Sequence, residues 1–338
     1  MTRNILFTFD YELFLGQRSG TPENCIIKPT QLILSLLKQY NIKHAIFFVD
    51  TTYLIKLLDA KEPVYKKHYQ TITEQLKEII GNGHYVYPHI HPHWIDALPV
   101  PNKGEWSLKN YSKYRFHNIT KEEQSNLFDR SINLLHSIID PVFPNYEICG
   151  YRAGGWCIQP FSDFSLHFKK HNVKYDFSVL KYYSNSSPAS YYDFSNTPVN
   201  EIYRFEDDVI KEVKNGMFTE FSISTLRFSA INNLLNRLFL KYLWKTNNRS
   251  IGDGIGISIE ESQNPQRKKG REMIAIELLN KIRFNPYILF LEKNNYMHFI
   301  SHPKMLSKHN LKTFDKFLSY TTKRYVLETD YKKMIPIY

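Results

Sequence analysis

Residues 5–12 read Ile5-Leu-Phe-Thr-Phe-Asp10-Tyr-Glu12, a buried-type apolar run that ends in two carboxylates. Such a run near the start of the chain is a strand, and residues two apart on a strand point to the same side, so Asp10 and Glu12 enter one site. The pattern outward is an alternation. Pro29 to Gln39 has a dense leucine face and predicts a helix, His44 to Val49 a second strand, and Asp50 caps the helix after it. A helical pattern from Pro63 to Ile80 stops at Gly81-Asn-Gly83, and a third strand follows over His84 to Tyr87. Residues 121–139 predict a helix, Tyr146 to Tyr151 a strand that opens into Arg152-Ala-Gly-Gly-Trp156, and strands recur at Tyr175 to Val179, Phe218 to Ser224 and Tyr296 to Ser301 before a helix near 309–320. Strands alternating with helices indicate an α/β fold with parallel strands, whose functional side chains gather at the C-terminal strand ends.

Between about 181 and 290 the alternation fails. A Ser/Asn/Tyr-rich stretch, a basic amphipathic segment, Gly252-Asp-Gly-Ile-Gly256 and Arg267-Lys-Lys-Gly-Arg271 follow one another, which reads as an insertion or lid. The glycine segment lacks the Lys-Ser/Thr of a phosphate loop. In Asn233 to Trp244, Leu234, Leu235, Leu238, Phe239, Tyr242 and Leu243 form an apolar face flanked by Arg237, Lys241 and Lys245. Such a helix either packs on the barrel or lies on an anionic membrane.

Composition narrows the class. Of 338 residues 42% are hydrophobic and 23% charged, too apolar for a disordered chain, so it folds as one large barrel with insertions or as two ordinary domains. Lys and Arg exceed Asp and Glu by 11, which attracts polyanions in general, yet no zinc-finger spacing, RNA-recognition signature or basic stripe interleaved with aromatics is present, and nucleic acid is not the expected partner. The first residues lack the apolar stretch of a signal peptide, no run is long enough to span a bilayer, and Cys25, Cys149 and Cys157 form no metal pair and cannot all be joined in disulfides within one chain. A cytoplasmic location is the expectation, with peripheral contact at the inner membrane face if the amphipathic helix serves that end.

The chemistry concentrates in Tyr87-Pro-His89-Ile-His91-Pro-His93-Trp94. Three histidines in five residues point to a metal, since neutral imidazole is a favoured zinc ligand and a catalytic zinc takes three protein ligands and leaves a place for water. In an extended segment all three share a face. Pro92 favours a turn or helix start instead, where positions four apart converge, which makes His89 and His93 the better pair. Glu12 completes a His-His-carboxylate set and leaves Asp10 free to take a proton from metal-bound water, with Arg152 as the cation that keeps Asp10 charged.

These motifs resemble those of the polysaccharide deacetylase family of carbohydrate esterases, and the likeness spans most of the chain. Thr8-Phe-Asp-Tyr-Glu12 is similar to the family's Thr-Phe-Asp-Asp-Gly, and Ala45-Ile-Phe-Phe-Val49 to its second strand. Gly83-His-Tyr-Val-Tyr-Pro-His89-Ile-His-Pro-His93 resembles its histidine motif, Tyr151-Arg-Ala-Gly-Gly155 its arginine motif, and Ile300-Ser-His302-Pro303 its last. The sequence departs from the pattern where Tyr11 replaces the second aspartate, where the arginine motif lacks its proline, and where no tryptophan follows Asp176. The resemblance implies a distorted (β/α) barrel over residues 1–338 with a long insertion in its C-terminal half. It implies Asp10 as general base, His89 and His93 as metal ligands, Arg152 as the holder of Asp10, and His302 as general acid tuned by Asp176. The backbone N–H of Gly155 and the metal would stabilise the oxyanion. The implied reaction is metal-dependent removal of an N- or O-acetyl group from a saccharide, such as a cell-surface polysaccharide precursor, with zinc first and cobalt, nickel or manganese as substitutes. The rival readings are a barrel that binds carbohydrate without turnover and a metallohydrolase acting on another amide.

Overall fold

A computed structural model describes residues 1–100, 103–187, 189–245, 249–256, 266–267 and 270–336. Its main sheet has nine strands: β1 Thr2–Tyr11, β2 Ile46–Asp50, β3 Tyr85–Ile90, β4 Gly150–Ala153, β5 Tyr175–Asp176, β6 Ile202–Phe205, β7 Phe218–Phe221, β8 Tyr296–Ser301 and β9 Val326–Glu328. The order is β6-β7-β5-β4-β3-β2-β1-β8, and β9 also pairs with β1. Every pairing is parallel except β6 with β7. Parallel strands are covered on both faces, and the sequence shows it: all five residues of β2 are buried, as are the last seven of β1.

The helices start and stop where local chemistry dictates. Asp50 caps α2 (Thr51–Asp59) by accepting the N–H of Tyr53 at 3.1 Å. Helix α3 (Pro63–Gly81) has proline in its first turn, and the chain leaves it through Gly83 at φ +82°. Thr120 and Glu123 form a reciprocal capping box on α4 (Lys121–Ile139). With α1 (Lys28–Gln39), α5 (Ser162–Lys170), α6 (Ala230–Lys245), α7 (Phe284–Lys293) and α8 (Lys308–Arg324), they complete the main elements. No helix among the described residues is long and apolar enough to cross a membrane.

One expectation changes. The sheet curls into a half-barrel but does not close, because β6 and β8, at the ends of its order, are not paired with each other. Arg271–Met273 instead turns to pair antiparallel with Thr225–Arg227, so only single hydrogen bonds cross the gap. Ile274 receives the N–H of Ile300 and donates to Ser224 O, both at 3.0 Å, and His298 N–H reaches Ser224 Oγ at 3.0 Å. Within the stretch at 181–290, β7 falls at the strand expected over Phe218 to Ser224, and β6 adds a strand beside it. What stands outside the main sheet includes the hairpin Tyr183–Ser186 with Tyr191–Asp193, and α6. Lys268 and Lys269 of the basic run, and the side chains of Leu243, Trp244, Lys245 and Arg267, lie outside what is described.

Candidate metal and acid–base site

The parallel register aligns the strand ends. Asp50 pairs with His89, His89 with Arg152, and Asp10 lies opposite Phe48, so the last residues of β1, β3 and β4 meet at one edge. Asp10 and Glu12 both turn inward there and are 3% and 5% exposed.

Arg152 is wholly buried and fixed on every side. Its Nη1 contacts Asp10 Oδ1 at 2.5 Å, Nε donates to Phe177 O at 2.9 Å and Nη2 to Thr8 Oγ1 at 2.9 Å, with the guanidinium 4.2 Å over the Phe48 ring. Burial opposes charge on Asp10, but Arg152, His89 and His302 together outweigh it and hold the carboxyl below its ordinary range. One oxygen of Asp10 is thus taken by Arg152. The other, Oδ2, faces His302 Nε2 at 3.5 Å and His89 Nε2 at 3.9 Å.

Glu12 is held from behind by Lys304, whose Nζ donates to Glu12 Oε1 at 2.7 Å and to Leu13 O at 2.6 Å. Its Oε2 lies 2.7 Å from His91 Nε2 and 3.5 Å from His89 Nε2, and the two imidazole nitrogens are 2.9 Å apart. His89 Nδ1 lies 2.8 Å from the carbonyl oxygen of Arg152, which can only accept, so the neutral ring carries its proton on Nδ1 and presents the lone pair of Nε2 to Glu12 and His91. Burial works against charge on Glu12, yet Lys304 and the two histidines drive its carboxyl well below the usual value.

These three side chains fit a divalent cation. Glu12, His89 and His91 are all buried, and their ligand atoms lie within 4.8 Å of one another. Glu12 Oε2 is buried without a well-directed hydrogen bond. Zinc bonds of about 2.0–2.1 Å in a tetrahedron put neighbouring donors roughly 3.3 Å apart, close to the separations found here.

The histidine pair differs from the one the spacing suggested. His91 joins His89, and His93 does not. The backbone stays extended through His91 (φ −115°, ψ 91°), so residues two apart face the same way, and the turn starts only at Pro92. His93 is buried against Tyr114, ring centroids 5.4 Å apart, and neither ring nitrogen has a hydrogen-bond partner among the described residues. Burial and the neighbouring His91 push its pKa well down.

His302 reaches the site from the end of β8, but its support is Glu277 and not Asp176. Glu277 Oε1 lies 2.9 Å from His302 Nδ1 and also 3.3 Å from the backbone N–H of His302. Burial disfavours the imidazolium, but Glu277 and Asp10 prevail and raise the His302 pKa. Asp176 accepts from Ser178 Oγ at 2.7 Å and interacts with Glu220 and, through space, with Arg152. Gly155 lines the cavity at φ +59°, where a Cβ would come within 2.7 Å of the Tyr114 ring. The cavity holds about 120 Å³ and is walled by the ionisable set with Tyr114, Gly155 and Trp156. A roomier groove of about 350 Å³ between α2 and α4 contains none of these groups.

Sequence reading left the part of His91 open and did not name Glu277 or Lys304. Each had a signal. His91 is two residues from His89, Lys304 two from His302, and Glu277 ends Ile274-Ala-Ile-Glu277, an apolar run closing on a carboxylate as β1 does.

The sequence matches no known family profile and no curated protein. Among solved structures, a protein described as a polysaccharide deacetylase from Mycobacterium smegmatis superposes with TM-score 0.50 at 12% identity, over 98% of this chain and 88% of that one. The catalytic domain of a peptidoglycan N-acetylglucosamine deacetylase from Eubacterium rectale gives 0.40 at 12% identity, over 97% and 88%. A 4-alpha-glucanotransferase from Thermococcus litoralis gives 0.48 at 10% identity, over 99% of this chain and 40% of that one. The first of these shows the fold: the chain shares the curled α/β architecture of a polysaccharide deacetylase.

Proposed function

We propose that the chain is a metal-dependent hydrolase that removes an acetyl group from a carbohydrate by N- or O-deacetylation. The reading is carried by one observation: two imidazoles and a carboxylate converge beside a second carboxylate locked by an arginine and a third imidazole locked by a glutamate. Glu12, His89 and His91 would hold a divalent metal, zinc first, which would supply a Lewis acid and lower the pKa of a bound water toward about 7. Asp10 accepts the water's proton at Oδ2, the oxygen that Arg152 leaves free. His302 begins as the imidazolium, with Glu277 on Nδ1, and gives the Nε2 proton to the departing amine or alkoxide. The Gly155 backbone N–H is the proposed oxyanion donor. A cavity of about 120 Å³ suits a small acyl group, with the sugar ring outside against Tyr114 and Trp156.

The test is acetate release from a panel of N- and O-acetylated saccharides by zinc-loaded protein and by Asp10→Asn, with metal content measured on both. We expect release by the wild type, a fall of roughly 10²- to 10⁴-fold in the variant, and equal metal in each. Metal-loaded wild type that frees no acetate from any member of the panel overturns the reading.

A further inference from the structure

Helix α6 presents its two faces the wrong way round for a helix that packs on a water-soluble core. At 100° per residue, Ile231, Leu234, Leu235, Leu238 and Tyr242 fall in an arc of about 100°. That stripe points to solvent, with exposures of 72%, 59%, 47%, 58% and 59%. Asparagines hold the opposite side to the protein: Asn280 Nδ2 donates to Asn236 Oδ1 at 2.8 Å, and Asn232 Nδ2 donates to Ile282 O at 3.1 Å. A contiguous exposed apolar stripe of this kind marks a surface that something covers.

Charge identifies what covers it. Helix α6 contains no acidic residue, and Arg237 and Lys241 border the stripe on one flank. The other flank carries Phe239, with Lys281 Nζ 4.6 Å over its ring and the His309 ring tilted against it at 5.2 Å, which brings in Lys308 and Lys312 from the exposed first turns of α8. A second copy of the chain docked face to face would set these cationic rims against each other. An anionic lipid surface takes the leucines among its acyl chains and the lysines at its headgroups.

We propose that α6 docks the protein peripherally on an anionic membrane, with Ile231, Leu234, Leu235, Leu238 and Tyr242 inserted. The chain beyond α6 then meets the loop that carries His302 and Lys304: Ile251 N–H donates to Leu306 O at 2.7 Å and Gly252 N–H to Lys304 O at 3.2 Å. Ile251 and Gly252, a few positions past α6 in the sequence, are therefore tied by backbone hydrogen bonds to the rim of the candidate site. The inference is independent of the deacetylation reading.

Flotation with phosphatidylglycerol–phosphatidylcholine vesicles, against phosphatidylcholine alone, tests it on the full chain. Wild type should float with the anionic vesicles at low salt and be released as salt rises. Arg237→Gln with Lys241→Gln should weaken partitioning roughly 25-fold, about fivefold for each cation. Leu238→Glu should weaken it at least about tenfold while the thermal midpoint stays put, since the side chain is exposed. Failure of the wild type to float at low salt refutes the proposal, as does flotation of Leu238→Glu equal to wild type. A wild-type dimer in gel filtration that Leu238→Glu converts to monomer, with no flotation, gives the stripe to a second copy and also refutes it.

Discussion

Replacing His91 and His93 in turn separates the metal set drawn by the strand from the one suggested by the turn. Metal at one hundred times its dissociation constant stabilises a folded protein by about 2.7 kcal/mol. An unfolding entropy of about 2.1 cal/mol/K per residue, over 338 residues, gives about 0.7 kcal/mol/K, so zinc should raise the wild-type melting temperature by about 4 °C. His91→Ala removes a donor 2.7 Å from Glu12 Oε2 and 2.9 Å from His89 Nε2. Even positioning partners outside the ligand set change metal affinity by about 10- to 100-fold, so loss of a ligand should cost at least about 100-fold. The same zinc concentration then contributes only about 0.4 kcal/mol, or about 0.6 °C. His93→Gln should melt lower without metal, because the ring is packed against Tyr114, yet keep the full zinc-dependent rise. Differential scanning calorimetry with zinc and with chelator, each variant referred to its own metal-free midpoint, reads both. A 4 °C rise that survives in His91→Ala and vanishes in His93→Gln would sink the assignment.

Three further outcomes follow from the same geometry. Arg152→Met leaves the Asp10 carboxylate buried without its cation and should lower stability in urea by about 3–5 kcal/mol; a loss under 1 kcal/mol would mean the pair matters little. Glu277→Gln removes the group that raises the His302 pKa, and since the general acid must be protonated, the alkaline fall of acetate release should move to lower pH; an unmoved or rising limb contradicts the role. Burial pushes His84 down to about 4 against an ordinary value near 6.5, so the unfolded chain takes the proton first. The stability it contributes is complete above about pH 6.5 and falls away, by about 3 kcal/mol in all, as pH drops to 4. His84→Gln should flatten that part of the pH–stability curve.

The first half of the fold is legible because each element carries its own local cause. Strand β2 is a run of apolar residues ended by the aspartate that caps α2, and α4 is bracketed by its own capping box, so neither needs distant information. The second half is legible in part: β7, β8 and α8 fall where apolar runs and a helical pattern place them, at Phe218 to Ser224, Tyr296 to Ser301 and near 309–320. β6 is four residues long, too short for periodicity to show, and its antiparallel place beside β7 rests on a partner that sequence does not reveal. The curl stays open for a related reason, since Arg271–Met273 finds its ladder with Thr225–Arg227 and not with β8.

The site divides along the same line. Asp10, Glu12 and Arg152 sit at strand ends, and their meeting follows from the two-residue period of β1 and the register of parallel neighbours. The histidine pair turned on one local question, whether the strand ends before or after His91, and a single extended residue decided for the period of two over the period of four. Glu277 is the harder case. It lies 25 residues before His302, on a segment with no ladder of its own. Its place is held by bonds across the gap in the sheet, Ile274 N–H to Ser224 O, Ile300 N–H to Ile274 O and Ile276 N–H to Ser301 Oγ at 2.8 Å, and by Asn310 Nδ2, which donates to Glu277 O at 3.1 Å. The segment that keeps the sheet from being simply open is thus the one that brings a carboxylate to His302. The structural gap and the Glu277–His302 contact have the same cause. Weakening it by Ser301→Ala should loosen Glu277 from His302 before it unfolds the sheet, and the alkaline limb of the pH profile should then shift in the same direction as in Glu277→Gln, by a smaller amount.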